Sequence, residues 1–261
     1  MRVRFLGTGT SHGIPVIGCT CAVCTSENPR NRRTRSSILV ASGEQRIVVD
    51  TTPEFRLQAL AAGLSRLDAV LFTHAHADHI FGLDDVRIFN WRTKQAVPVY
   101  GTAATLAEIR DRFIYVFREG QEGGGKPNLE LRPVDGPFEV AGLRVTPIEV
   151  RHGQLAVTAY RFCERSDGPA FAYVTDCNEI APESLAALEG LDLLILDALG
   201  KSAHPTHFSL EQAIEVARRL RPRRTLFTHI SHSLEHDETN ASLPDGMALA
   251  YDSQEIEIPA A

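Results

Sequence analysis

Thr73-His74-Ala75-His76-Ala77-Asp78-His79 follows directly on the apolar run Asp68–Phe72. Val70, Leu71 and Phe72 predict a short buried strand. On an extended chain, side chains two residues apart point the same way, so His74 and His76 can converge on one metal ion. Asp78 and His79 come at the start of the next helix and offer an oxygen and a nitrogen to a second ion beside the first. Neutral imidazole and carboxylate suit zinc, manganese or iron. Three histidines and one aspartate within residues 74–79 are hard to explain as a polar loop of chance composition.

Outward from this stretch, strand-like segments rich in Val, Ile, Leu, Thr and aromatics recur along the chain. They are Arg2–Leu6, Ser37–Ala41, Arg46–Asp50, Ala69–Thr73, Val97–Tyr100, Leu143–Val150, Val157–Phe162, Ala170–Thr175, Leu191–Asp197 and Thr225–Thr228. Met247–Tyr251 and Glu255–Ile258 are expected to close the chain as a hairpin turning at Asp252-Ser253. Helical patterns fill the gaps at Glu54–Ala62, Thr102–Phe117, Pro182–Leu188 and Ser209–Leu220, with Thr102 as N-cap and Ser209 and Gln212 as a capping box. Alternating strands and helices predict a layered α/β architecture, expected as a single domain over residues 1–261. The glycine-rich run Glu119–Pro127 reads as a flexible segment, either a lid or an inert surface loop.

The chain has 261 residues, 43% apolar and 23% charged, a balance that excludes disorder and collagen-like repetition. Its longest apolar runs are of strand length, too short to span a bilayer, and the first residues lack the apolar stretch of a secretory signal. A cytoplasmic protein without a membrane partner is expected. The net charge of −6, from 27 basic and 33 acidic residues, argues against an extended nucleic-acid surface. Cys19, Cys21 and Cys24 supply three thiolates, one short of a closed tetrahedral zinc site. A distant Cys or His should complete it. Cys163 and Cys177 lie in apolar, strand-like surroundings and read more readily as core residues.

The spacing of His74, His76, Asp78 and His79 resembles the His-x-His-x-Asp-His signature of the metallo-β-lactamase superfamily. The resemblance implies a four-layer αββα sandwich with its site at strand ends between two sheets. It implies further ligands in chain order: His152 after Leu143–Val150, Asp176 in Val174-Thr175-Asp176, and His229 in Phe227-Thr228-His229. Any one of these alone could merely satisfy a buried hydrogen bond. The resemblance assigns His74, His76, His152 and Asp176 to one divalent ion, manganese or zinc, and Asp78, His79, Asp176 and His229 to the other. Asp50 and Asp197, each ending a predicted strand, sit where carboxylates orient ligand imidazoles. Turn capping is the alternative for both.

Gly18-Cys19-Thr20-Cys21-Ala22-Val23-Cys24 and Thr228-His229-Ile230-Ser231-His232 are similar to the PhnP-like phosphodiesterase subgroup. The likeness extends from Gly7-Thr8-Gly9 to Leu243-Pro244. It implies a structural zinc on Cys19, Cys21, Cys24 and His232; a redox-active cysteine loop is the alternative. It also places His207, in Pro205-Thr206-His207-Phe208, near the metals, where it contacts the phosphate and assists the leaving group; an exposed loop histidine is the alternative. His12 departs from the subgroup's pattern, which has a different polar residue there, and His204 has a weaker claim still. His236 is expected to face solvent. Arg112–Arg118 could offer an aromatic and arginines to a sugar phosphate, or could be a buried amphipathic stripe.

The function implied is a metal-dependent phosphodiesterase acting on a small cyclic sugar phosphate or nucleotide diester, with His207, Asp78 and Asp176 as its catalytic groups and a homodimer as one possible assembly. An RNA 3′-processing nuclease would need a clamping arm and a basic face. A thioester or other carbonyl hydrolase would have no use for His207. A non-catalytic nucleotide-binding protein would not need an intact ligand set.

Overall fold

The computed structural model describes residues 1–118, 125–164 and 168–258. The strands are β1 (Arg2–Gly7), β2 (Ser37–Ser42), β3 (Gln45–Val49), β4 (Ala69–Leu71), β5 (Val97–Gly101), β6 (Leu129–Pro133), β7 (Phe138–Val140), β8 (Leu143–His152), β9 (Leu155–Cys163), β10 (Ala170–Val174), β11 (Leu193–Asp197), β12 (Arg224–Thr228), β13 (Met247–Leu249) and β14 (Glu255–Glu257). They form two seven-stranded sheets, ordered β14-β1-β2-β3-β4-β5-β6 and β13-β12-β11-β10-β9-β8-β7. The helices are α1 (Phe55–Ala61), α2 (Ala77–Ile80), α3 (Arg87–Thr93), α4 (Ala103–Arg112), α5 (Ile114–Phe117), α6 (Pro182–Ala187), α7 (Leu210–Leu220) and α8 (His236–Ser242).

The layering follows from strands that are apolar on both faces. Val3, Ile38 and Ile47 of the first sheet pack against Phe162, Phe171 and Ile195 of the second. The intervening Leu39 and Val48 point the other way, onto Phe55 of α1 and Leu106 and Ile109 of α4. In the second sheet, Leu194 and Leu196 meet Ala213, Ala217 and Leu220 of α7. A strand covered on both sides reads as a continuous apolar run rather than an alternating one. The result is the expected αββα sandwich. Among the described residues, no helix is long and apolar enough to cross a membrane.

Two devices aim the chain at the site. α7 begins with the expected capping box: Ser209 Oγ accepts from Gln212 N (3.3 Å) and Gln212 Oε1 accepts from Ser209 N (2.9 Å). Such a cap is worth about 1 kcal/mol, and it fixes the backbone two residues after His207. β4 stops at Leu71, short of the expected Thr73, because Thr73 N and Oγ1 donate to the Asp50 carboxylate instead of to a neighbouring strand (2.9 and 2.8 Å).

Other expectations fail for identifiable reasons. The closing hairpin does not form, because β13 pairs parallel with β12 in the second sheet and β14 antiparallel with β1 in the first. The turn between them is drawn inward: the half-buried Asp252 accepts from Thr8 Oγ1 (2.7 Å), Thr34 N (2.7 Å) and Thr34 Oγ1 (2.8 Å). The helix expected over Thr102–Phe117 breaks at Phe113, whose φ of −107° and ψ of 38° are not helical. His236 is buried, not solvent-facing. Its amide donates to Asn31 Oδ1 (2.8 Å), and its ring lies against Arg33 Nη2 and the Tyr251 ring. Of the run Glu119–Pro127, residues 119–124 and the suggested lid lie outside the described residues.

Candidate metal centre

The ends of β3, β4, β8, β10 and β12 deliver their side chains to one rim of the sandwich. Asp50, Asp176 and His229 all adopt left-handed backbone, with φ of 64°, 53° and 58°. Such conformations are uncommon for residues other than glycine and concentrate at functional sites. The His74 and His76 rings come within 4.5 Å of each other, His74 and His79 within 4.2 Å, and His76 and His152 within 5.4 Å. Asp78, His79, Asp176 and His229 place one ligand atom each within 4.8 Å of one another. All seven expected ligands thus stand in one cluster.

Hydrogen bonds fix which nitrogen the rings of His74, His79 and His152 turn inward. Thr73 Oγ1 donates to Asp50 Oδ2 and therefore accepts from His74 Nδ1 (3.0 Å), leaving a lone pair on His74 Nε2. That atom is buried and has no hydrogen-bond partner. His79 Nδ1 donates to Asp50 Oδ2 (2.8 Å), and His152 Nδ1 donates to the Thr206 carbonyl (2.7 Å). Ligating histidines are oriented in just this way through their second nitrogen. Asp50 therefore acts as an orienter.

The inward atoms repel one another without a cation. His79 Nε2 lies 3.2 Å from Asp176 Oδ2 and 3.4 Å from Asp78 Oδ2, and His229 Nε2 lies 3.3 Å from Asp176 Oδ1. Lone pairs and carboxylates packed this closely need a positive charge among them. The protonation tendencies say the same. Burial works against a charge on His79, yet Asp176, Asp78 and Asp50 together hold its pKa well above the ordinary value. Burial likewise works against the Asp176 anion, but the flanking His229 and His79 keep its pKa well below the usual carboxylate range. Divalent ions fit this set of donors.

His207 is buried, so it is not an exposed loop histidine. Its Nδ1 lies 2.7 Å from Asp197 Oδ2, and its ring centroid is 4.5 Å from that of His152 and 4.6 Å from that of His229. Burial pushes the Asp197 carboxyl well above its usual pKa and the His207 imidazole below its own. The dyad thus sets an imidazole, hydrogen-bonded to a buried carboxyl, next to the metal ligands. His12 and His204 are exposed; the His204 ring lies 5.3 Å from that of His207. Cys163 and Cys177 are buried core residues, as expected.

The cysteine cluster forms a second constellation. Cys19, Cys21 and Cys24 place their Sγ atoms 3.3, 3.5 and 3.4 Å from His232 Nδ1. Tetrahedral zinc, with bonds of about 2.3 Å to sulfur and about 2.0 Å to nitrogen, requires S···N spacings of about 3.5 Å. The Cys24 amide donates to Cys21 Sγ (3.5 Å) and helps bring that thiol down to about 6, a thiolate at neutral pH. Burial pushes the Cys24 thiol up to about 11. His232 follows the metal-centre residue His229 by three positions, so this cluster ties the N-terminal segment to the rim.

Sequence reasoning missed the orienting groups Thr73 and Thr206. Thr206 acts through a backbone carbonyl, which no residue type announces. Thr73, next to the first ligand histidine, was visible as a hydroxyl at the end of a strand.

The family described as a beta-lactamase superfamily domain matches residues 45–230, from the start of β3 to the residue after His229. The chain belongs to this superfamily. Its relationship within the superfamily is PhnP-like: a solved diphosphatase of the PhnP family superposes with a TM-score of 0.90 at 41% identity, over 99% of this chain and 98% of the other. An octanoyltransferase from Porphyromonas gingivalis (strain ATCC BAA-308 / W83) is 40% identical over 260 residues, or 98% of this chain. The chain spans about half the length of that relative, 51%. Zn(2+)-bound PqqB from Methylobacterium extorquens shares the fold, with a TM-score of 0.80 and 21% identity over 98% of this chain and all of the other. The superfamily member described here has the metallo-β-lactamase fold.

Proposed function

We propose that this protein is a hydrolase that cleaves the phosphoric ester bond of a small phosphodiester, using two divalent ions, manganese or zinc, on the seven-residue cluster and a structural zinc on Cys19, Cys21, Cys24 and His232. When bound, the two ions supply charge neutralisation and activation of water. His74, His76 and His152 would hold one ion and Asp78, His79 and His229 the other, with Asp176 offering a carboxylate to both. Asp50, Thr73 and the Thr206 carbonyl keep the rings oriented.

The observation that carries the proposal is the His207–Asp197 dyad. It stands against the ligand rings, is not needed to complete either ligand set, and is placed to pass a proton to a departing alkoxide. Hydrolysis at a carbonyl carbon to release a thiolate needs no such proton. Transfer of an acyl group through an enzyme thiol is also poorly served: the nearest thiol, Cys177, is fully buried and donates to the Glu179 carbonyl (3.4 Å).

A second reading, cleavage of a diphosphate link, is favoured by the name of the solved PhnP-family neighbour and uses the same groups at phosphorus. A panel of alkyl and nitrophenyl phosphodiesters, dinucleoside diphosphates and thioesters, assayed on the metal-loaded protein, separates these readings. Turnover of thioesters alone would overturn the proposal.

A further inference from the structure

A pocket of about 550 Å³ opens between α3 and the chain that enters β5 and β6. Its volume is within the ~300–1,000 Å³ usual for small-molecule sites. β4 and β5 run parallel and carry Leu71 and Tyr100 toward the metal rim, whereas Val97 and Leu129, where β5 and β6 begin, pair at the other end of the sheet. Gln95 and Asn128 line the pocket just before those starts, and none of the expected metal ligands lines it. The pocket is therefore a second site, separate from the metal centre.

Its floor is fixed in advance. The buried Asn90 side chain donates to the Gln95 and Asn128 carbonyls (2.8 and 2.9 Å) and accepts from the Asn128 amide (3.0 Å). Lys94 ends α3 in left-handed backbone, with φ of 59°, and its amide donates to the Asn90 carbonyl (2.7 Å). A pocket held this way loses little conformational freedom in taking a ligand.

On this floor stands Trp91, the single tryptophan of the chain, 70% exposed. Lys94 Nζ lies 5.6 Å from the centroid of its ring. Arg87 and Lys126 line the same pocket, and no Asp or Glu among the described residues does. Arg87 pairs with Asp84 (2.8 Å), and Lys126 donates to the Arg118 carbonyl. In a chain of net charge −6, three cations around one exposed indole reverse the sign of the field locally. An indole left in water forgoes its burial, and like charges gathered in one pocket repel. A ligand that joins a flat aromatic ring to a negative group removes both costs. A sugar phosphate would leave the indole uncovered, and an uncharged aromatic would leave the cations unneutralised.

We infer that this pocket binds a nucleoside monophosphate, with its base stacked on Trp91 and its phosphate among Arg87, Lys94 and Lys126. Aromatic platforms flanked by cations hold bases by stacking and phosphates by charge. The site is independent of what the metal centre cleaves.

Trp91 is its own reporter. The metal-loaded protein is titrated with AMP, adenosine and ribose 5-phosphate while tryptophan emission is followed. AMP has neither a diester nor a diphosphate link, so neither reading of the metal centre consumes it. AMP should quench the emission saturably, and adenosine and ribose 5-phosphate should each bind at least about tenfold more weakly. Calorimetry on variants assigns the parts. Trp91→Ala should weaken AMP binding by at least about fivefold, the low end for a base–aromatic stack, and Trp91→Phe should keep most of the affinity. Lys94→Gln should weaken AMP by about threefold or more and leave adenosine unchanged. Both side chains are exposed, so the melting temperatures of these variants should match the wild type. No response to AMP at millimolar concentration, or ribose 5-phosphate binding as tightly as AMP, would overturn the inference. Emission that shifts when the protein alone is diluted would overturn it by making this face a contact between copies. Adenylate oligonucleotides that bind more tightly with each added nucleotide would do so by making the pocket part of a nucleic-acid surface.

Discussion

Replacing His207 with alanine tests the proposed chemistry most directly. The ring is held by Asp197 at 2.7 Å and stacked on His229 with an interplanar angle of 15°, so its free nitrogen has little freedom to wander. A positioned proton donor contributes about 10²–10⁴ in rate, equivalent to roughly 3–5 kcal/mol of barrier. His207→Ala is expected to lose that much turnover on an alkyl phosphodiester, whose leaving alkoxide must be protonated. On a nitrophenyl diester with the same phosphoryl part the loss should stay below about tenfold, because nitrophenolate departs without a proton. The assay is steady-state kcat on the matched pair, accompanied by metal analysis of the variant. Metal analysis is needed because His152, Asp176 and His207 also lie close enough together to hold an ion. Equal losses on both substrates would refute the leaving-group role, and loss of one bound ion would make His207 a ligand instead.

Three further outcomes follow from the geometry. Asp50→Asn places an amide where His79 Nδ1 donates, and should weaken metal binding by about 10–100-fold in a competition titration with a chelator while the fold survives by circular dichroism. Cys21→Ser should lower the melting temperature by at least about 4 °C, if a weakened zinc staple removes ~2 kcal/mol from a chain of this size; an unchanged melting temperature would leave the cluster without a structural role. Graded chelation should abolish diesterase activity before it removes zinc, since three thiolates hold zinc more tightly than imidazole and carboxylate hold manganese. Elemental analysis at each step checks the order.

The layers of the fold were legible because the central strands are apolar on both faces. Ser37–Ala41 and Leu191–Leu196 could only be buried strands between two coverings, and Ser209-x-x-Gln212 announced its helix outright. The failures sit where local pattern and tertiary pairing part company. β6 alternates too weakly to stand out, because as an edge strand it is only half covered: Glu130, Arg132 and Pro133 are exposed. The sequence around Asp252-Ser253 has ordinary turn chemistry, and a hairpin follows from it locally. Whether the flanking strands pair with each other depends on where Asp252 finds its donors, and those are Thr8 and Thr34, more than two hundred residues away in sequence.

The same division runs through the metal centre. A ligand must present a particular atom, imidazole nitrogen, carboxylate oxygen or thiolate sulfur, so the ligands show in the sequence as residue types at fixed spacings. An orienter need only accept a hydrogen bond. His79 and His207 are oriented by the carboxylates Asp50 and Asp197, which the strand ends made visible. His152 is oriented by the Thr206 carbonyl, which any residue there would supply. Replacing Thr206 should therefore perturb the centre only as far as it moves the backbone, whereas replacing Asp50 removes the acceptor itself. The Thr206 carbonyl belongs to the loop that carries His207, so one short segment both orients a ligand of the first ion and presents the proton donor. That loop is pinned at its far end by the capping box of α7. Loosening the cap at Ser209 should thus disturb metal binding and proton delivery together, though neither Ser209 nor Gln212 touches the metal centre.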